Sequence, residues 1–478
     1  MKAALATLIA ATLLTGCAVG PDYHRPAPLP GTNAVPVNFG DAAVTNWGEW
    51  KTALPAAQLP RGTWWQLYAD AELNRLETLA ATNNQQIALA VANFDEAHAA
   101  VKTAQANFLP QISANPSATR QRTSAQSSPG STSSRTYNTF SVAANASWEL
   151  DLFGRVRRTT EAARAQFAAS ADDLEALKLV IQAEVAADYF SLRALDAQAE
   201  MLEQAVVAYQ HALELTQSRQ QHGVADEQDV AQAETQLRAA RAQVPAVNLQ
   251  RAQLRHALAV LCGLPATTFA LTPGSTSSTN LPAIPLTVPS EWLEHRPDVA
   301  AAERRMAAAN ASVGVATSAF YPRVLLNGSG GYLSVSASSL FDWPNHVWAV
   351  GPTLEIPLFT GGANRAQLAS AKAAYAGTVA SYRQTVLAAF QDVEDQLAAQ
   401  SLLANELAEE EQALASARRS LAIANDRYKA GVEQYLDVIT AQTTELSHEQ
   451  TVIQLRGQRL ATSVSLIKAL GAGWTVAK

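Results

Sequence analysis

The chain lacks most of what catalytic and disulfide-stapled proteins are built from. It holds two cysteines, Cys17 and Cys262, in 478 residues, which excludes a disulfide framework and a cysteine-based metal cluster. Three methionines, one of them the initiator, leave no methionine-rich metal relay. Eight histidines are scattered, and His448-Glu449 lacks the second histidine of a metalloprotease helix. There is no Gly-x-Ser-x-Gly elbow and no phosphate loop, so nothing points to an enzyme or to a bound cofactor. Charged residues make up only 16%, the net charge is −7, and no basic run occurs, which argues against nucleic acid as a partner. No mature segment offers the roughly 20 consecutive apolar residues of a transmembrane helix. A bilayer could then be crossed only by strands in a closed barrel. Aromatics are 7% of a chain that is 48% apolar, so its apolar content is mostly Ala, Leu and Val, a mix suited to closely packed helices.

What is present begins with an export signal. Lys2 supplies a positive start, and Ala3 to Leu14 is an apolar stretch too short to span a membrane. It ends in Leu14-Thr15-Gly16-Cys17, which resembles the bacterial lipoprotein box. Residues 1–17 therefore read as a lipoprotein signal cleaved before Cys17, with Cys17 as the lipidated first residue of the mature chain. Several acyl chains on one residue anchor stably where one would not. Ala18, rather than Asp, follows, which by lipoprotein sorting rules favours the outer membrane. Cys262 reads as a small apolar residue at a helix end.

Residues 18–62 are rich in Pro, Gly and Asn and read as an extended arm. Leu73 to Leu109, free of Gly and Pro, predicts one helix stopped by Pro110. Two stretches then alternate with period two. Ile112, Ala114 and Ala118 share one parity in the first; Phe140, Val142, Ala144, Ala146, Trp148, Leu150 and Leu152 share it in the second. This predicts a β-hairpin with one apolar and one polar face over about 110–153, around a Ser-rich loop. Residues 155–222 run without Gly or Pro, enough for a helix about 100 Å long. Val185, Leu192, Ala199, Val206 and Leu213 repeat every seven residues, the mark of supercoiled packing. Gly223 breaks the run, a second helix returns to Cys262 with Pro245 as a candidate kink, and a Pro/Ser/Thr linker covers 264–290.

The pattern then repeats. Ala106-Asn107-Phe108-Leu109-Pro110 recurs as Ser318-Ala319-Phe320-Tyr321-Pro322, and Glu149-Leu150-Asp151-Leu152-Phe153 as Glu355-Ile356-Pro357-Leu358-Phe359. Gly223-Val224 recurs as Gly431-Val432, and Leu261-Cys262-Gly263 as Ala469-Leu470-Gly471. The offsets stay between 206 and 212 residues. A first repeat over 63–275 (helical hairpin 155–262) and a second over 276–475 (β-hairpin about 321–359, helical hairpin 364–470) follow. Each chain thus offers four amphipathic strands, too few to close a membrane barrel, whose minimum is about eight. An open sheet would leave unpaired edges in lipid, so oligomerisation is the physical solution, and three chains supply twelve strands. Trp148, Trp343, Trp348, Phe140 and Phe341 are candidate interfacial aromatics. Gly328-Ser329-Gly330-Gly331 reads as tight packing within the sheet. A pore-less coiled-coil lipoprotein would have no need of the alternating hairpins.

These features meet in a known family. Trp64-Trp65 with Asp70, Leu73, Leu76, Asn83 and Ala90 looks like its opening signature. Arg296-Pro297-Asp298-Val299, Ala302-Glu303-Arg304-Arg305, Ala309-Asn310-Ala311 and Val313-Gly314-Val315-Ala316 match its second-repeat signature. Arg427-Tyr428-Lys429-Ala430-Gly431 with Tyr435-Leu436-Asp437-Val438 matches its helix-tip motif. Over nearly its full length the chain resembles the outer-membrane efflux proteins, the TolC-like factors, in their lipoprotein branch. The resemblance implies an α+β membrane protein: a homotrimer with a twelve-stranded transmembrane β-barrel, four strands per chain, continued by a long α-helical periplasmic barrel. It implies a passive conduit for small molecules, partnered by a periplasmic adaptor protein and an inner-membrane pump. The tips at Gly223-Val224 and Gly431-Val432 would dock the adaptor. Asp437, which holds the family's gate position, would ring the tunnel entrance and attract cations, with Tyr428 and Arg427 as latch residues. Glu433 stands where the TolC branch has a basic residue and Thr440 where it has a second acid. A single acidic ring with a different latch is expected.

Overall fold

The computed structural model describes residues 18–27, 62–124, 134–274, 281–282 and 296–472. The signal, Cys17, residues 28–61 of the arm and most of the linker lie outside the described residues. Two compact units form, and each draws on both halves of the chain. The first comprises 1–27, 93–171 and 301–383; the second comprises 28–92, 172–300 and 384–478.

In the first unit four strands make one antiparallel sheet in the order β1-β2-β3-β4: β1 (Gln111–Thr123), β2 (Arg135–Leu150), β3 (Arg323–Ser334) and β4 (His346–Glu355). All four fall within a few residues of the predicted hairpins. The register joins like parity to like parity. Ile112 opposes Ala146, Ala146 opposes Gly328, and Gly328 opposes Val350. Because side chains alternate strictly along a strand, this pairing collects the apolar residues on one face and Ser, Asn and Thr on the other. A Cβ on Gly331 would come within 2.5 Å of the Ala143 Cα, so the predicted tight packing rests on this one glycine. Among the described residues, the outer edges of β1 and β4 have no strand beside them.

The helices bear out the duplication. After α1 (Ala71–Asn83) and α2 (Gln85–Ala106) come α3 (Arg155–Gln221) and α4 (Glu227–Leu261), of 67 and 35 residues. After α5 (Pro297–Ser318) come α6 (Ala363–Lys429) and α7 (Tyr435–Ala469), again of 67 and 35. Of the heptad positions, Val185, Leu192, Ala199 and Leu213 are buried and Val206 is half-buried; the interleaved Leu202 and Tyr209 are buried too, as are Leu407 and Leu414 in the second repeat. Alanine and glycine let helices approach closely: a Cβ on Gly457 would sit 2.6 Å from that of Ala194. α4 continues through Pro245 without a break.

One expectation fails. The single helix predicted from Leu73 to Leu109 is two helices separated at Asn84, whose backbone is extended. The Asn84 side chain accepts from the amides of Gln86 and Ile87, capping α2, and donates to the Leu261 carbonyl at 2.8 Å. A contact 177 residues away thus decides a local boundary. The core of the second unit gathers Trp64, Trp65, Tyr68, Leu73, Leu76, Phe190, Leu258 and Ile467. Asp70 starts α1 by accepting from Glu72 and Leu73, and it also receives the Tyr189 hydroxyl at 2.7 Å. Cys262 caps the end of α4, where burial pushes its thiol up to about 11. It is an inert packing group, as its sequence position implied.

Candidate functional site: the sheet faces and the helix tips

The sheet of the first unit carries its polar groups as a ladder. Ser147 donates to Asn327 Oδ1 at 3.0 Å, and Asn327 Nδ2 donates to Thr353 at 3.0 Å. On the same face, at the helix-proximal end of the strands, Arg323 pairs with Glu149 at 3.0 Å and with Glu355 at 3.4 Å, and Arg155 reaches Glu149 from the start of α3 at 2.8 Å. Two cations and two anions leave this end neutral. The opposite face runs Leu150, Trp148, Ala146, Ala144, Val142 and Phe140 along β2, a surface for lipid.

Residues 18–25 lie in the same unit, and here the family signature gains a physical meaning. The Val19 amide donates to the Phe153 carbonyl, and a Cβ on Gly154 would lie 2.8 Å from the Ala18 Cα. Arg158, almost fully buried, holds Asp22 at 2.7 Å. Asn310 donates to the Pro21 carbonyl at 3.1 Å, and Glu303 receives Tyr23 at 3.4 Å and pairs with Arg25 at 3.4 Å. Gly20 and Gly314 touch backbone to backbone, too close for a side chain on Gly20. The second-repeat residues Glu303, Asn310 and Gly314 therefore form the seat of the arm.

In the second unit the two helix turns are built alike. Gly223 has φ +73° and Gly431 φ +76°, both left-handed. The Gly223 amide bonds the Gln220 carbonyl and Val224 bonds Arg219; Gly431 bonds Tyr428 and Val432 bonds Arg427. This pair of bonds is the glycine-terminated helix stop called the Schellman motif. It leaves Val224 and Val432 projecting, 63% and 70% exposed.

Asp437 is exposed and lines a groove of about 340 Å³ together with Arg427, Glu433, Thr440 and Ile423. Arg427 pairs with Glu433 of its own chain at 3.4 Å. Tyr428 does not enter the groove. It is buried, its ring centroid 5.2 Å from that of Tyr435. Arg219 lies over the Tyr428 ring at 4.5 Å and donates to the Tyr428 carbonyl at 3.2 Å. Burial, reinforced by Tyr428, pushes the Tyr435 hydroxyl up to about 12. Arg219 thereby joins the end of α3 to the end of α6. Sequence reading missed it, because its partner is 209 residues away. The matching repeat position, Arg427, was the available signal.

Comparison with known proteins supports the same architecture. A family model described as outer membrane efflux protein matches residues 76–264 and 288–472. The outer membrane protein OprJ of Pseudomonas aeruginosa is 33% identical over 472 residues, covering 98% of this chain and 96% of OprJ. The structure of the outer-membrane channel OprN superposes with a TM-score of 0.86 at 28% identity, covering 96% of this chain and all of that one. The open-state outer membrane channel MtrE of Neisseria gonorrhoeae gives 0.81 at 30% identity, covering 96% and 98%.

Proposed function

The chain belongs to the outer membrane efflux protein family, and on that premise we propose that three copies close one barrel and pass small molecules from a periplasmic adaptor and an inner-membrane pump through the outer membrane. The observation that carries this is the sheet itself: one apolar face, one polar face and two open edges. Joining β4 of one copy to β1 of the next removes every edge and turns the apolar face to lipid. Energy must come from the pump. Native mass spectrometry of the detergent-solubilised protein should give a trimer, and planar-bilayer recordings should give conductance. A monomer, or trimers that never conduct, would refute the proposal.

We read Cys17 as the lipidated residue. Support comes from Ala18, seated against Gly154 at the strand-to-helix junction, which would release the acyl chains beside the foot of the sheet. The projecting Val224 and Val432, with the turns at Gly223 and Gly431, are the proposed adaptor-docking tips. At the gate we assign Asp437 the acidic ring. The pairing of Arg427 with Glu433 leaves Asp437 as the acidic group of the groove without a basic partner among the pairs described. Tyr428 acts from within the packing, through Arg219, rather than from the lumen. Asp437→Ala should weaken cation selectivity and divalent block of the closed pore. Wild-type selectivity and block in intact trimers would remove Asp437 from the gate.

A further inference from the structure

We propose that Arg120 and Arg122 of each protomer bind the phosphate groups of a phosphorylated glycolipid of the lipid A class in the outer leaflet. Along β1 the even-numbered row reads Ile112, Ala114, Pro116, Ala118 and then Arg120 and Arg122; the odd-numbered row is Gln, Ser, Asn, Ser, Thr, Gln, Thr. The arginines therefore stand on the lipid-facing side, and both are exposed.

The register sets their height. On β2 the apolar row from Leu150 to Phe140 extends about 33 Å along the strand at ~3.3 Å per residue. At a tilt of about 40° that is ~25 Å of height, the full apolar band of an outer-membrane barrel. Arg120 opposes Asn138 and Arg122 opposes Thr136, two and four residues beyond Phe140. They sit about 5 and 10 Å above the band, at the level of lipid headgroups. This end carries the hairpin loop, whereas the other end of each strand leads directly to a long helix. With the helices in the periplasm, it is the outer surface; this step rests on the proposed channel orientation. Aromatic rings mark the same end: Phe140 and, one pair inside it, Tyr332, with Tyr332 packed on Phe341 and Trp343 stacked on His346.

Charge decides the occupant. On the inward rows Arg323 is matched by Glu149 and Glu355. The outward rows of all four strands contain no Asp or Glu, so countercharge for Arg120 and Arg122 must come from outside the sheet. Arg122 Nη2 donates to the Ser134 hydroxyl at 2.9 Å, which steadies one guanidinium at the loop entrance. Planar guanidinium groups match phosphate oxygens in pairs.

The test titrates purified trimers in detergent with bisphosphorylated lipid A, read by native mass spectrometry. Arg120→Gln/Arg122→Gln trimers should bind it about tenfold or more weakly, and Arg120→Lys/Arg122→Lys trimers should retain part of the affinity. Lipid A stripped of both phosphates, and phosphatidylglycerol, should bind the wild type no better than the glutamine variant does. Equal binding of lipid A by wild-type and glutamine-variant trimers would overturn the site. Equal binding of phosphorylated and stripped lipid A, or of phosphatidylglycerol, would overturn the assigned ligand. Conductance of the same trimers is read in parallel, so a failed lipid site is distinguishable from a failed channel.

Discussion

Glu77 is fully buried in the core of the second unit, and neither carboxyl oxygen has a hydrogen-bond partner among the described residues. Burial alone raises its pKa well above the ordinary 4.5. The unfolded chain releases this proton near 4.5, whereas the folded chain keeps it. Stability from this group is therefore complete below that value and falls as pH rises toward the folded pKa. Glu77→Gln, which has no proton to lose, should raise the melting temperature at pH 8 relative to wild type and flatten its decline between pH 5 and 8. Thermal scans of both proteins in the same detergent check this. Parallel curves for the two would show that Glu77 is not held neutral.

At the scale of elements, the sheet and the tips illustrate two kinds of legibility. The strands were readable from alternation, and the register preserves the parity assignment across all four. Arg at Val142, on the lipid-facing row near mid-sheet, should destabilise the inserted protein by about 2–4 kcal/mol. Arg at Ser147, on the polar row, should be milder, because water is there to solvate it. Equilibrium folding into vesicles measures both, and equal losses would contradict the facing. The turns at Gly223 and Gly431 were readable because left-handed backbone favours glycine. The break at Asn84 was not, since no periodicity changes there. Nor was the arm's seat on Glu303, Asn310 and Gly314, although those residues stood out as a motif.

At the scale of the whole molecule, anchoring and assembly are separable. Cys17→Ser should abolish acyl labelling and leave trimers intact, because the barrel itself holds the protein in the membrane. An unmodified Cys17 in the wild-type mass spectrum would dismiss the anchor. Photo-cross-linkers at Val224 and Val432 should capture the adaptor, and capture confined to mid-helix positions would dismiss the tips as its dock.

From sequence alone came the duplication, the strands and their faces, the two helical hairpins and their glycine stops. These are local signals, fixed by periods of 2 and 3.6–3.5 residues and by the backbone freedom of one residue type. The need for partner chains followed as well, since four strands cannot close. Tertiary structure alone decided which side chains meet: Asn84 with Leu261, Arg158 with Asp22, Arg296 with Asp392 and the Ala469 carbonyl, and Arg219 with Tyr428. In each case the partners are far apart in the chain. Their meeting depends on how whole elements pack, and no pattern within a single segment encodes it. That is why the partner of Tyr428, an expected latch residue, could not be named from its own segment: it is Arg219 of the other repeat, which lies over the Tyr428 ring.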